Sequence, residues 1–234
     1  MKKILFIILS TLFIINLFNY NSFASETTNT DSNLTAEDLN KASIEFEKMS
    51  IEELNNYIDN IANIYSSKIN SRGTSVPEGN LQLAWIAAAN IAAKKGYTCS
   101  AALVKASVYN NSYTEKIDLS GKSKGLFQKK IGNASNYKTF LAKVNAGKSL
   151  TNPYKLTFTK KINADLFYSL HKVSAYHTKK TSAKPVPFIR INDTFDFNVD
   201  SNYDDLFTTC INNWAWLCQQ TKVLHKIAVN IYMQ

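Results

Sequence analysis

Apolar and polar positions divide the chain before any single residue is weighed. Lys2 and Lys3 precede an apolar run over residues 4–18, interrupted by Ser10, Thr11 and Asn16, and a polar stretch then leads to the small residues Ser22 and Ala24. A basic start, an apolar middle and a small-residue end, in that order, form a secretory signal peptide over residues 1–24. Cleavage is expected between Ala24 and Ser25. The apolar run of 15 residues is shorter than the roughly 20 residues a spanning helix needs. No transmembrane anchor is expected after processing.

Residues 25–34 are rich in Thr, Asn and Ser with no apolar period, a pattern that predicts disorder. Thr35 with Asp38, and Ser50 with Glu53, have the spacing of capping boxes, and Met49 with Leu54 occupies the staple positions of the second. Ile51, Leu54, Ile58, Ile61 and Tyr65 follow at helical intervals. Two helices are predicted, over 36–48 and 51–67, with one apolar stripe that needs a partner surface. Gly73, Pro77 and Gly79 mark residues 69–80 as a linker.

Residues 81–95, apolar on nearly every side and closed by Lys94, Lys95 and Gly96, predict a buried helix. Further helices are predicted over 100–109 and 135–146, and the glycine-bearing stretch 110–133 between them reads as an irregular surface loop. Aromatic and branched residues over 167–177 and alternation over 188–197 predict two strands of a long hairpin, with Pro185 and Pro187 delaying the second. An amphipathic helix is predicted over 204–219, on Leu206, Phe207, Cys210, Trp214 and Leu217, and a final strand over 223–233. The fold class is α+β: N-terminal helices, then a small antiparallel sheet with a long hairpin, one helix packed on it, and a last strand. The domains expected are a signal peptide (1–24), a disordered stretch (25–34), an acidic helical hairpin (35–68), a linker (69–80) and a basic α+β domain (81–234).

Charge changes this picture. Without the signal, 25 basic and 18 acidic residues remain, a net charge of about +7. Residues 25–72 carry nine acidic and four basic residues, whereas residues 73–234 carry nine acidic and 21 basic, so a segment of −5 precedes one of +12. The two are expected to attract, and Arg72 beside Gly73 marks a place where the acidic hairpin is removable as a pro-segment. The plainer reading makes the hairpin a solvated extension and Arg72 an incidental nicking site. Cys99, Cys210 and Cys218 are too few for a disulfide scaffold. Cys210 and Cys218, eight residues apart in one predicted helix, lie ~12 Å from each other and cannot bridge. A bridge from Cys99 to one of them would leave an odd thiol, and three free buried thiols are expected instead.

Candidate chemistry is sparse. If the hairpin turns near Ser182, His171 falls across from Asp193 and His177 across from Pro187. A facing imidazole and carboxylate can move a proton, and equally can satisfy each other at a sheet surface. No nucleophile is placed beside them by motif: Ser100, Ser107 and Ser169 lack the Gly-flanked elbow of serine hydrolases. His171, His177 and His225 have no metal-ligand spacing, the glycines form no phosphate-binding loop, and no cofactor is implied. The second lead is basic. Lys116, Lys122, Lys124, Lys129, Lys130 and Lys138 crowd one stretch, and Lys179, Lys180 and Lys184 crowd the hairpin turn. Trp216 is the better exposed of the tryptophan pair, Trp214 being on the apolar side. Such a surface meets an anionic cell-wall polymer or lipid surface through screenable charge, without specific nucleic-acid recognition. Ordinary solubility is the competing account of the same lysines.

The stretches AWIAAANIA (84–92), NADLFYSLHKV (163–173), DTFDF (193–197) and NNWAWLCQ (212–219) resemble those of uncharacterised exported proteins of low-GC Gram-positive bacteria. The second and third are also similar to a hairpin of toxin-associated bacterial domains. The resemblance implies export and no particular activity. The function expected is that of a secreted cationic protein acting on or binding an anionic envelope surface, as an antibacterial effector. The alternatives are a small extracellular hydrolase using His171 and Asp193, and a passive cell-wall-associated binding module.

Overall fold

The computed structural model describes residues 34–70, 78–117, 124–179, 186–196, 219 and 221–233, with the backbone alone for 62–70. The signal segment with Ala24 and Ser25, Arg72, and the 204–219 segment except Gln219 lie outside these residues.

Both capping boxes form. The Thr35 hydroxyl accepts from Asp38 N and the Asp38 carboxylate accepts from Thr35 N, opening α1 (Ala36–Lys48). Ser50 and Glu53 do the same for α2 (Ile51–Asn70), at 3.2 and 2.7 Å. The apolar stripe of this pair, with Leu39, Ala42, Phe46, Leu54 and Ile61, is buried in the core shared with the rest of the chain. Its partner is α3 (Glu78–Lys94), which also packs on α4 (Thr98–Val108). A helix enclosed this way has no polar side to offer, hence the apolar composition around Trp85 and Ile86. Between α3 and α4 the chain reverses through Gly96, whose φ of 92° suits a residue without Cβ.

Beyond α4 follow β1 (Tyr113–Glu115), α5 (Leu126–Asn133), α6 (Ser135–Asn145), β2 (Tyr154–Thr157), α7 (Ala164–Ser169), β3 (Lys172–His177), β4 (Ile189–Phe195) and β5 (Ile227–Met233). The strands form one sheet in the order β1-β5-β4-β3-β2, antiparallel except for the parallel pair of β1 and β5. Its inner face presents Leu156, Val173, Ala175, Ile189, Ile191, Val229 and Ile231 to the core, where α5 meets β5 and α6 meets β2.

The α+β class is therefore shown, with helices ahead of the sheet. Several boundaries differ from those the sequence predicts. Residues 110–133 are no simple loop: they hold β1 and α5. Phe167, expected in a strand, lies in α7, which the side chain of Asn163 caps by accepting from Leu166 N. The sheet is mixed because β1 joins its edge in parallel, and β2 supplies an edge strand that the pattern did not mark. Gly79, expected in the linker, sits in the first turn of α3, where an added Cβ would meet the side chain of Leu34 at 2.6 Å.

Candidate functional site

The β3–β4 ladder decides whether His171 and Asp193 meet. It pairs Ser174 with Asn192 and His177 with Ile189, not His177 with Pro187. The turn lies further along than expected, and the level of Asp193 belongs to Val173. His171 precedes β3 altogether. It occupies a left-handed turn (φ 37°) between α7 and β3, is exposed, and sets its ring 4.9 Å from that of Phe167. Asp193 shares the inner sheet face with Ile191 and Phe195 and accepts from Thr194 N at 2.9 Å. Burial there, with Asp196 nearby, pushes its carboxyl up to about 7. The ladder thus does not set the two side chains across from each other, because α7 consumes the residues that would have extended β3. His177 is tied elsewhere, edge-on to Phe140 at 5.7 Å, with its backbone held by the Asn152 amide.

Two carboxylates, the buried Asp165 and the half-buried Glu115, organise the polar contacts instead. Asp165, 5% exposed, accepts from Cys99 N (2.8 Å), Ser100 N (2.9 Å), Ser100 Oγ (2.8 Å) and Lys130 Nζ. Tyr97, at the cap position of α4, offers no side-chain bond, so a carboxylate from α7 satisfies the helix's free N–H groups. Burial alone would raise its pKa, but the bonds from Lys130, Ser100 and Cys99 outweigh it and hold the carboxyl below its ordinary value. Glu115 of β1 repeats the device at α5, accepting from Phe127 N (3.1 Å), Gln128 N (2.8 Å) and Tyr113 Oη (3.1 Å). The cap position there is Gly125, where a Cβ would collide with the Glu115 carboxyl. Neither carboxylate was among the expected site residues. A helix start without a capping side chain was the one sequence signal that pointed to them.

These bonds also redistribute the expected binding set. Lys130 is an internal anchor, bonded to Asp165 and to Gly96 O (3.0 Å), and not a free surface cation. Lys124, Lys129 and Lys179 are exposed. Lys122, Lys180 and Trp216 lie outside the described residues. Cys99 is fully buried, and burial followed by the neighbouring Asp165 pushes its thiol far up, so it is no nucleophile. Among the described residues no group of three His, Cys, Asp or Glu is placed to hold a metal ion, and no helix is long and apolar enough to cross a membrane.

Charge meets charge at the seam between the acidic helices and the rest. Glu47 on α1 accepts from Lys94 Nζ through its carbonyl (2.9 Å) and from Lys105 Nζ through its carboxylate (3.1 Å). An open cleft of about 330 Å³ lies there, lined by Glu47, Asn90, Ala93, Lys94 and Lys105. Neither His171 nor Asp193 contributes to it.

The outer sheet face is the remaining surface with a distinct chemistry. It carries Lys155, Lys172 and Arg190, and among its described strand residues no carboxylate. The Arg190 guanidinium lies 4.9 Å above the Tyr176 ring, the Phe188 and Tyr232 rings meet tilted at 5.7 Å, and Asn192 donates to Asn230 at 2.8 Å.

No protein-family model, curated protein or solved structure matches the chain. Fold and surface together define an α+β protein whose helical half is braced by acidic residues and whose sheet half presents a cationic, aromatic face.

Proposed function

We propose that the chain is exported and that its lysine-rich part binds an anionic envelope surface, acting there as an antibacterial effector. The supporting observation is the distribution of charge. The +12 segment after residue 72 keeps Lys124, Lys129, Lys155, Lys172 and Lys179 exposed, while two carboxylates of the same segment, Asp165 and Glu115, are spent on capping helices. Cations without neighbouring exposed carboxylates project a positive field that draws polyanions and that salt screens.

The test is binding of the purified protein to anionic vesicles and to isolated cell walls across a salt series. Binding that weakens steeply with salt is expected. Binding indifferent to salt, or none, overturns the reading. A growth-inhibition assay then separates an effector from a passive wall-binding module, which leaves target cells viable.

A further inference from the structure

Three of the four large apolar side chains exposed among the described residues gather at one end of the sheet: Val186 (59%), Phe188 (46%) and Tyr176 (38%). They are held there firmly. Phe188 N donates to Thr178 Oγ1 at 2.9 Å, Thr178 N donates to Phe188 O at 3.0 Å, and Pro187 between the two apolar residues is buried. Tyr176, Arg190 and Tyr232 lie level with one another on β3, β4 and β5, and Lys179 is exposed two residues past β3. This end of the outer face therefore combines protruding apolar groups, two tyrosines and two cations, and no described strand residue on the face is acidic.

Resting on the reading above, we propose that this end of the outer sheet face docks the protein on an anionic phospholipid bilayer. Val186 and Phe188 enter the boundary between headgroups and acyl chains, while Tyr176 and Tyr232 settle at headgroup depth beside Arg190 and Lys179. Charge complementarity brings the face to the membrane. The protruding groups select a bilayer over a dissolved polyanion, because only the bilayer removes Val186 and Phe188 from water. Tyrosines with an apolar body and a polar tip favour the same interface.

The experiment is co-sedimentation of the purified full chain with vesicles of phosphatidylcholine, alone or mixed with phosphatidylglycerol, and with soluble polyphosphate in competition. Binding to the mixed vesicles only is expected. The pair V186S and F188S weakens it roughly tenfold or more, K179Q and R190Q weaken it roughly fivefold each, and Phe188→Leu retains it. Lys41→Gln, exposed on α1 and outside the lysine-rich part, changes it little. Circular dichroism and melting temperature are expected to match the unsubstituted chain. Vesicle binding unchanged by the serine pair overturns the proposal and leaves the envelope reading standing, as does binding to polyphosphate without binding to vesicles. A serine pair that lowers the melting temperature or abolishes self-association also overturns it, since the face is then covered by the chain's own residues or by a second copy. Failure of the unsubstituted chain to bind any anionic surface removes the envelope reading itself.

Discussion

Asp165 joins α4, α5 and α7 through four hydrogen bonds, one of them charged. Asp165→Asn keeps the shape but leaves the Lys130 ammonium, 25% exposed, without its counter-charge. A loss of about 3 kcal/mol is expected in urea unfolding. Gly125→Ala tests the second cap. Its Cβ displaces the Glu115 carboxyl from Phe127 N and Gln128 N, with an expected loss of about 1–3 kcal/mol. Asp193 works in the opposite sense. Its pKa is raised to about 7 by burial, with Asp196 adding to the rise and Thr194 N and Lys155 opposing it. Above its ordinary value the unfolded chain ionises first, so stability falls as pH climbs from about 4 toward 7 and levels off beyond. Urea midpoints at pH 5 and pH 8 are expected to differ in the unsubstituted chain and to converge in Asp193→Asn. Asp165, held below its ordinary value, sustains stability above the normal carboxylate range and loses it only as pH falls through its lowered value.

At the scale of elements, the acidic hairpin is structural as well as electrostatic. Leu39, Phe46, Leu54 and Ile61 share the core with Trp85 and Ile86 of α3, so a cut between α2 and α3 leaves α1 and α2 bound. Cleavage within residues 71–77 is expected to yield two fragments that co-elute on gel filtration until urea separates them. A chain lacking α1 and α2 exposes that side of α3 and is expected to aggregate. Fragments that part in buffer would show that the apolar stripe does not hold the hairpin once the chain is cut. These two helices were also the most legible in the sequence. Each capping box joins residues three apart, so its partners are fixed as soon as the chain is written. The starts of α4 and α5 are capped instead by carboxylates from α7 and β1, 65 and 13 residues away at Ser100 and Gln128. That separation hid α5 inside an apparent loop. α7 was lost for a different reason: Phe167 and Tyr168 carry strand preferences, and the Asn163 cap with burial of Leu166 overrode them.

Over the whole molecule, charge was readable by counting, whereas its availability was not. The −5 and +12 segments implied attraction, and Glu47 meets Lys94 and Lys105 across the seam. Lys130 looked like its neighbours Lys124 and Lys129 in sequence, yet it points inward because Asp165 and Gly96 O receive it. The salt sensitivity expected of surface binding therefore excludes Lys130. Lys129→Gln is expected to reduce the salt slope of wall binding by a small step, measured as log affinity against log salt, while Lys130→Gln acts mainly on stability. The expected alignment of His171 with Asp193 fell to register: the ladder runs two residues off the expected one, so Asp193 falls at the level of Val173. By itself the sequence determined the α+β class, the capped acidic helices and the sign of the charge, because helical period, capping spacing and charge are properties of neighbours along the chain. Only the tertiary structure decided which carboxylates cap which helices, which lysines reach water, and which residues face across the sheet, because each depends on contacts between segments that the sequence keeps far apart.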